Sequence, residues 1–165
     1  MEERMEKELF RRQHELFASK WALATAGTPD DYNTMTIGWG GLGTLWGRKL
    51  VCTVYIRPDR YTYEFMEKNG LFTVSFYPEE CRGDLQVLGT LSGRDGDKVA
   101  KTSLKPIPVS GEYGETVTFD KAELTLVCRK IYADDFHPEK ILCKDPYAPG
   151  VKPHRMYIGE VLDIL

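Results

Sequence analysis

Three groups of residues in this 165-residue sequence have the types and spacing to do chemistry. Arg57 and Arg60 stand three apart in R-P-D-R-Y-T (57–62), where a strand-like run gives way to a helical one, with Thr62 beside them. Two guanidiniums, a hydroxyl and first-turn amides make a receptor for a dianion such as phosphate. Read alone, the same residues are equally a surface arginine pair at a helix start. Asp59 would repel phosphate, so it is expected to act as the helix N-cap, its charge turned to arginine or solvent.

The second group, Gly38, Gly40 and Gly43 of GWGGLG (38–43), has the spacing of a dinucleotide-binding glycine loop. That motif needs the loop to open a helix, with an acidic residue about 20 positions on. Here TLWGRK and the strand-like LVCTVYI (50–56) follow, which leaves no room for the helix, and Asp59 and Glu64 lie beyond that strand. The glycines are expected instead to make a wide or bulged connection between two strands. The third group, Asp134, Asp135, His137 and Cys143, has metal-ligating types, but neither spacing nor ligand set matches a closed site, so no metal is expected.

The elements that must hold these residues are mostly strands. A leading amphipathic helix over 1–18, with Met5, Leu9 and Leu16 near helical spacing, is followed by strands at 21–27 and 32–39. Alternation in the second puts Met35, Ile37 and Trp39 on one face and Thr34, Thr36 and Gly38 on the other. Strands at 50–56 and 71–77 flank a helix at 60–70 closed by Gly70, and a further helical stretch lies within 80–93. Two strand-like runs within 114–136 and a last one at 156–165 complete the pattern. With few helix-length crossovers, an antiparallel β-barrel with peripheral helices is favoured over a doubly wound sheet, in a single domain spanning 1–165.

Composition narrows the classes. With 42% hydrophobic and 28% charged residues the chain is neither disordered nor fibrous. A net charge of -3 without a basic stripe argues against nucleic acid, and no apolar run is long enough to span a bilayer. The acidic start lacks a signal peptide's apolar core, so a cytoplasmic protein is expected. The four cysteines, Cys52, Cys81, Cys128 and Cys143, form no C-x-x-C pair and are read as thiols, mostly buried. Alternation points Cys52 to the side of Val54 and Ile56.

Taken in order, YNTMTIGWG (32–40), LWGRKLVCTVYIRPDRYTYEF (45–65), NGLFTVSFYP (69–78), LGTLSGRDGDK (88–98) and the H-x-x-Y-I-G-E tail (154–160) resemble the flavin reductase-like family of FMN-binding split-barrel proteins, flavoredoxin included. The resemblance runs from about Trp21 to the C-terminus. It implies a mainly β fold, an antiparallel, Greek-key split β-barrel with peripheral α-helices, and FMN as cofactor. Arg57, Arg60 and Thr62 would then receive the FMN phosphate, while Asn33, Thr34, Met35 and Thr36 would meet the pyrimidine edge of the ring and Trp39 its face. Ser92, Gly93 and Lys98, with Arg94, read alone as a solvated turn, but the resemblance places them near the cofactor, supplied by the second chain of a dimer. His154 and Tyr157 would edge the flavin or the substrate cavity. No catalytic side chain is expected, because the chemistry lies on the cofactor.

The implied activity is an NAD(P)H-dependent oxidoreductase, with NADH or NADPH as co-substrate, reducing flavin, ferric complexes or a small acceptor. The alternatives are a flavoredoxin-like electron carrier serving a redox-protein partner, and a non-catalytic flavin-binding protein. A homodimer with FMN at its interface is also implied.

Overall fold

The computed structural model describes residues 2–144 and 146–165; in α1 side chains are described from Glu8 onward, Phe10 excepted, so the Met5 side chain of the leading stripe lies outside what is described. The chain opens with helix α1 (Glu2–Ala18) and strands β1 (Ala22–Thr28), β2 (Asp31–Ile37), β3 (Gly40–Leu45) and β4 (Lys49–Ile56). Helix α2 (Tyr61–Lys68), strand β5 (Leu71–Phe76) and helix α3 (Arg82–Thr90) follow, then the hairpin β6 (Pro106–Gly111) and β7 (Gly114–Phe119). The long strands β8 (Leu124–Asp135) and β9 (Arg155–Ile164) end it. No described helix is long and apolar enough to cross a membrane.

Seven strands form one antiparallel sheet in the order β2-β1-β5-β8-β9-β4-β3. The two edge strands, β2 and β3, are consecutive in sequence and joined only through Gly38 and Trp39. In a flat sheet, six strand spacings would separate those edges by about 29 Å, whereas three peptide units span at most about 11 Å. The sheet must therefore curl until its edges meet. The result is a barrel split between β2 and β3, as the strand pattern and the family resemblance lead one to expect.

Ala24, Ala26, Cys52, Val54, Ile56, Phe72, Val74 and Cys128 fill the barrel, all 1% exposed or less. Cys52 thus lies on the side of Val54 and Ile56, as alternation indicates. A second apolar cluster, Leu23, Tyr77, Leu85, Leu88 and Phe119, packs α3 on the outside. Burial on both faces explains why β1 reads as a continuous apolar run.

Two sequence expectations need correction, and one strand had no counterpart in the sequence reading. GWGGLG is not a loop: residues 40–43 belong to β3 and pair with β4 from Gly40↔Val54 to Leu45↔Lys49. Gly40 is required there because a Cβ would stand 2.3 Å from the Phe17 ring, which locks α1 onto the barrel. Helix α2 ends at Asn69, whose backbone and side-chain nitrogens both donate to the Phe65 carbonyl, before Gly70 is reached. Strand β6 was invisible because Pro106 and Pro108 cannot donate to a ladder, which an edge position tolerates.

Candidate functional site

The split places β2 at an edge, so half of its backbone groups face away from β1 and are available to another molecule. Contiguous hollows run along this strand. The first, about 290 Å³, is bounded by Met35, Thr36 and Ile37 of β2, the Gly38-Trp39 link, Tyr55 of β4, and Arg57, Arg60 and His154. A middle one, about 90 Å³, shares Met35 and Arg60 with it and adds Asn33, Thr62, the Leu88–Gly93 region and Lys98. The last, about 290 Å³, shares Asn33, Gly93 and Lys98 and ends among Asp30, Asp31 and Asp97. The cleft is therefore cationic along its first two thirds and acidic at its far end.

Arg60 occupies the junction. Arg57 forks onto the Asp59 carboxylate with contacts of 3.0 and 2.7 Å, while Arg60 comes only within 4.0 Å of it. Asp59 does turn its charge to arginine, but it is not the N-cap: Arg60 holds that position, without a side-chain capping bond. Thr62, buried in the first turn of α2, accepts a 2.7 Å hydrogen bond from Asn33 Nδ2 and so ties α2 to β2. Gly93 packs on the same asparagine so closely that a Cβ would stand 2.2 Å from Asn33 Oδ1.

The turn carrying Ser92, Gly93 and Lys98 is fixed within this chain. Arg94 bonds Glu64 and the Asp59 carbonyl and lies over the Tyr61 ring, and Ser92 Oγ accepts from the Arg94 amide. Lys98 is 6% exposed, and its amine donates to the Leu88 and Leu91 carbonyls at 2.8 and 3.1 Å. Among the described residues no carboxylate pairs with it. Burial, reinforced by the like charge of Arg60, pushes its pKa down to about 8. Such a buried cation without a counter-charge is costly and favours an anion in the cleft.

At the other end, the His154 ring packs on Trp39, centroids 4.6 Å apart, and its Nδ1 lies 3.1 Å from the Tyr147 hydroxyl. Burial, then the charge of Arg57, lowers its pKa, so the imidazole is neutral near pH 7. Trp39 is not a core residue, as strand alternation would have it; it is 56% exposed and overhangs the cleft.

Met35, Thr36, Trp39, Arg57, Arg60 and His154 thus share one hollow, and Asn33, Thr62, Ser92, Gly93 and Lys98 the next. The Thr34 hydroxyl is already committed to Thr25 Oγ1 at 2.8 Å, and that of Thr36 to the Leu85 carbonyl. Tyr157 goes elsewhere: it is fully buried in the barrel core and its hydroxyl donates to Glu67 at 2.6 Å. Alternation in β9 could not have warned of this, because it groups the apolar Met156, Ile158 and Leu162 on one face and Tyr157 on the other, whereas the structure buries Tyr157 and Gly159. Tyr55 and the Leu88–Leu91 stretch were missed, because an aromatic in a strand and a helix end carry no chemical signature.

A family model described as a flavin reductase like domain matches residues 13–165. The chain belongs to the flavin reductase-like family. By sequence, no curated protein matches it. Among solved structures, flavoredoxin from Methanosarcina acetivorans is similar with a TM-score of 0.67 and 20% identity, over 88% of this chain and 67% of that one. An FMN-binding protein from Thermus thermophilus, with bound 1-cyclohex-2-enone, gives 0.66 and 19% over 88% and 68%. Nitrilotriacetate monooxygenase component B from Bacillus cereus gives 0.66 and 13% over 96% and 75%. At these identities the likeness establishes the split-barrel fold of this flavin reductase-like chain, and its cleft must be judged on its own residues.

Proposed function

We propose that the cleft along β2 holds FMN and that the protein is an NAD(P)H-dependent oxidoreductase serving flavin, a ferric complex or a small acceptor. The observation that carries this reading is the convergence of Arg57, Arg60 and Lys98 on one cleft, with the Lys98 amine buried and lacking a carboxylate among the described residues. A phosphate dianion would supply the missing charge, and Thr62, Ser92 and the Gly93 amide stand at the same place to donate to it. The acidic far end, with Asp31 and Asp97, disfavours a phosphate there and so orients the ligand.

The strand-free edge of β2 from Asn33 to Thr36 would offer backbone donors and acceptors to the pyrimidine side of the ring. Trp39 and His154 form an aromatic wall that would exclude water from it. When bound, FMN supplies the two-electron redox chemistry between a reduced nicotinamide and the acceptor. The chain's own part is to hold, orient and charge-balance the cofactor, and no side chain need act as acid or base. The FMN-binding and flavoredoxin relatives support this reading.

Purification under native conditions is the direct test. A yellow protein that releases FMN on denaturation is expected, and a colourless protein that fails to take up added FMN would overturn the proposal. Anaerobic mixing with NADH and with NADPH then assigns the role. Rapid bleaching by either supports the oxidoreductase, bleaching only through a redox protein makes it a carrier, and no bleaching leaves a flavin-binding protein.

A further inference from the structure

A second cavity, about 300 Å³, lies behind the wall of the cleft and is not used by the reading above. Trp39 and Tyr55 line both spaces; Phe136, Ile141, Pro146 and Tyr147, from the connection between β8 and β9, complete it. Among the described residues of that connection, 136–144 and 146–154, the one regular element is a short 3₁₀ turn at Pro138–Lys140, and loops of such length inside a compact domain are commonly functional. It is nevertheless held in shape. The Phe136 amide donates to the His154 carbonyl at 3.1 Å, Tyr147 is tied to His154, and Phe136 lies 5.6 Å from Tyr55, ring to ring.

Among the described residues no charged side chain lines this cavity. Phe136 and Trp39 remain exposed at its rim, as large apolar residues do where a ligand covers them. The size is that of a small-molecule site, and flat rings on several sides favour a flat guest.

We infer that this cavity binds a neutral, planar aromatic molecule of one or two rings, held against Tyr55 and Trp39 at the back of the cleft. Its service as the acceptor site rests on the flavin reading; the binding itself does not. A charged guest would lose hydration without gaining a partner among the described residues. A saturated guest of equal size would lose the stacking.

The test is calorimetric titration of the full chain with 2-naphthol, with and without added FMN, and with decahydro-2-naphthol as the saturated counterpart. 2-Naphthol is expected to bind about fivefold more tightly than the decalol. Ile141→Glu and Phe136→Ser should each weaken it at least about tenfold while FMN affinity, read from the visible spectrum, is unchanged. Alkylation of Cys143, the one exposed thiol of the four and a lining residue, should slow on adding 2-naphthol. Absence of saturable binding, equal binding of the two alcohols, or wild-type affinity in both variants would overturn the inference. Loss of FMN binding with naphthol binding intact would instead overturn only the flavin reading.

Discussion

Arg57 and Arg60 share a motif but not an environment. Asp59 already engages Arg57 through two contacts and leaves Arg60 at 4.0 Å, so Arg60 keeps more of its charge for a ligand. Arg60→Ala should therefore weaken FMN binding by about 1.5–3 kcal/mol, and Arg57→Ala by less; flavin fluorescence titration measures both, and the reverse order would contradict the assignment. Lys98 gives a pH signature. Its amine has an ordinary pKa of 10.5 and is held at about 8 in the fold, so between those values the unfolded chain binds more protons. Stability of the FMN-free protein should accordingly rise from pH 8 toward 10.5, and below 8 the fold carries the whole cost of the buried charge. FMN retention should run the other way and fall as the pH passes about 8, because the phosphate needs the protonated amine. Lys98→Met should abolish that fall, which equilibrium dialysis across the range would detect. At this scale the sequence marked the arginines by their spacing, but not which of them Asp59 would occupy.

The glycines separate structural from ligand-facing roles among the elements. Gly40→Ala would drive a methyl into Phe17 and should cost about 1–3 kcal/mol, whereas Gly41, beside open space in the same strand, should accept alanine with little change. Thermal unfolding of the pair distinguishes a strand packed on α1 from a nucleotide loop, in which both would matter. Gly93→Ala should act differently: by displacing Asn33 it breaks the link to Thr62 and should reduce FMN affinity more than stability. Strands β2, β4, β5, β7, β8 and β9 were legible because β-branched and aromatic residues are concentrated in them, and β1 because its small apolar run ends in turn residues. Strand β3 was not, since five residues of small or mixed type, GGLGT, owe their extended form to pairing with β4.

For the molecule as a whole, α3 is the lever that connects the outer core to the site. Leu85 and Leu88 bury one side of it, and its last turn and capping residue supply the Leu88 and Leu91 carbonyls that hold Lys98. Leu85→Ala should cost about 2–5 kcal/mol in chemical denaturation, and bound FMN should recover part of that by mass action. The homodimer implied by the sequence resemblance is tested at this scale too: sedimentation should give twice the chain mass with FMN bound, and a monomer that retains FMN would contradict it.

The sequence by itself determined the antiparallel class, the absence of a dinucleotide-binding helix after GWGGLG, and the cation pair at the start of α2, because periodicity and spacing are local properties. Tertiary structure decided what those glycines are, an edge strand paired with β4 and pressed against Phe17. It also decided that Tyr157 serves the core, that Trp39 overhangs the cleft, and that Lys98 comes to Arg60 in the hollow along β2. These outcomes depend on which distant surfaces the curled sheet brings together, and chain closure between β2 and β3 fixes that only once all seven strands are in register.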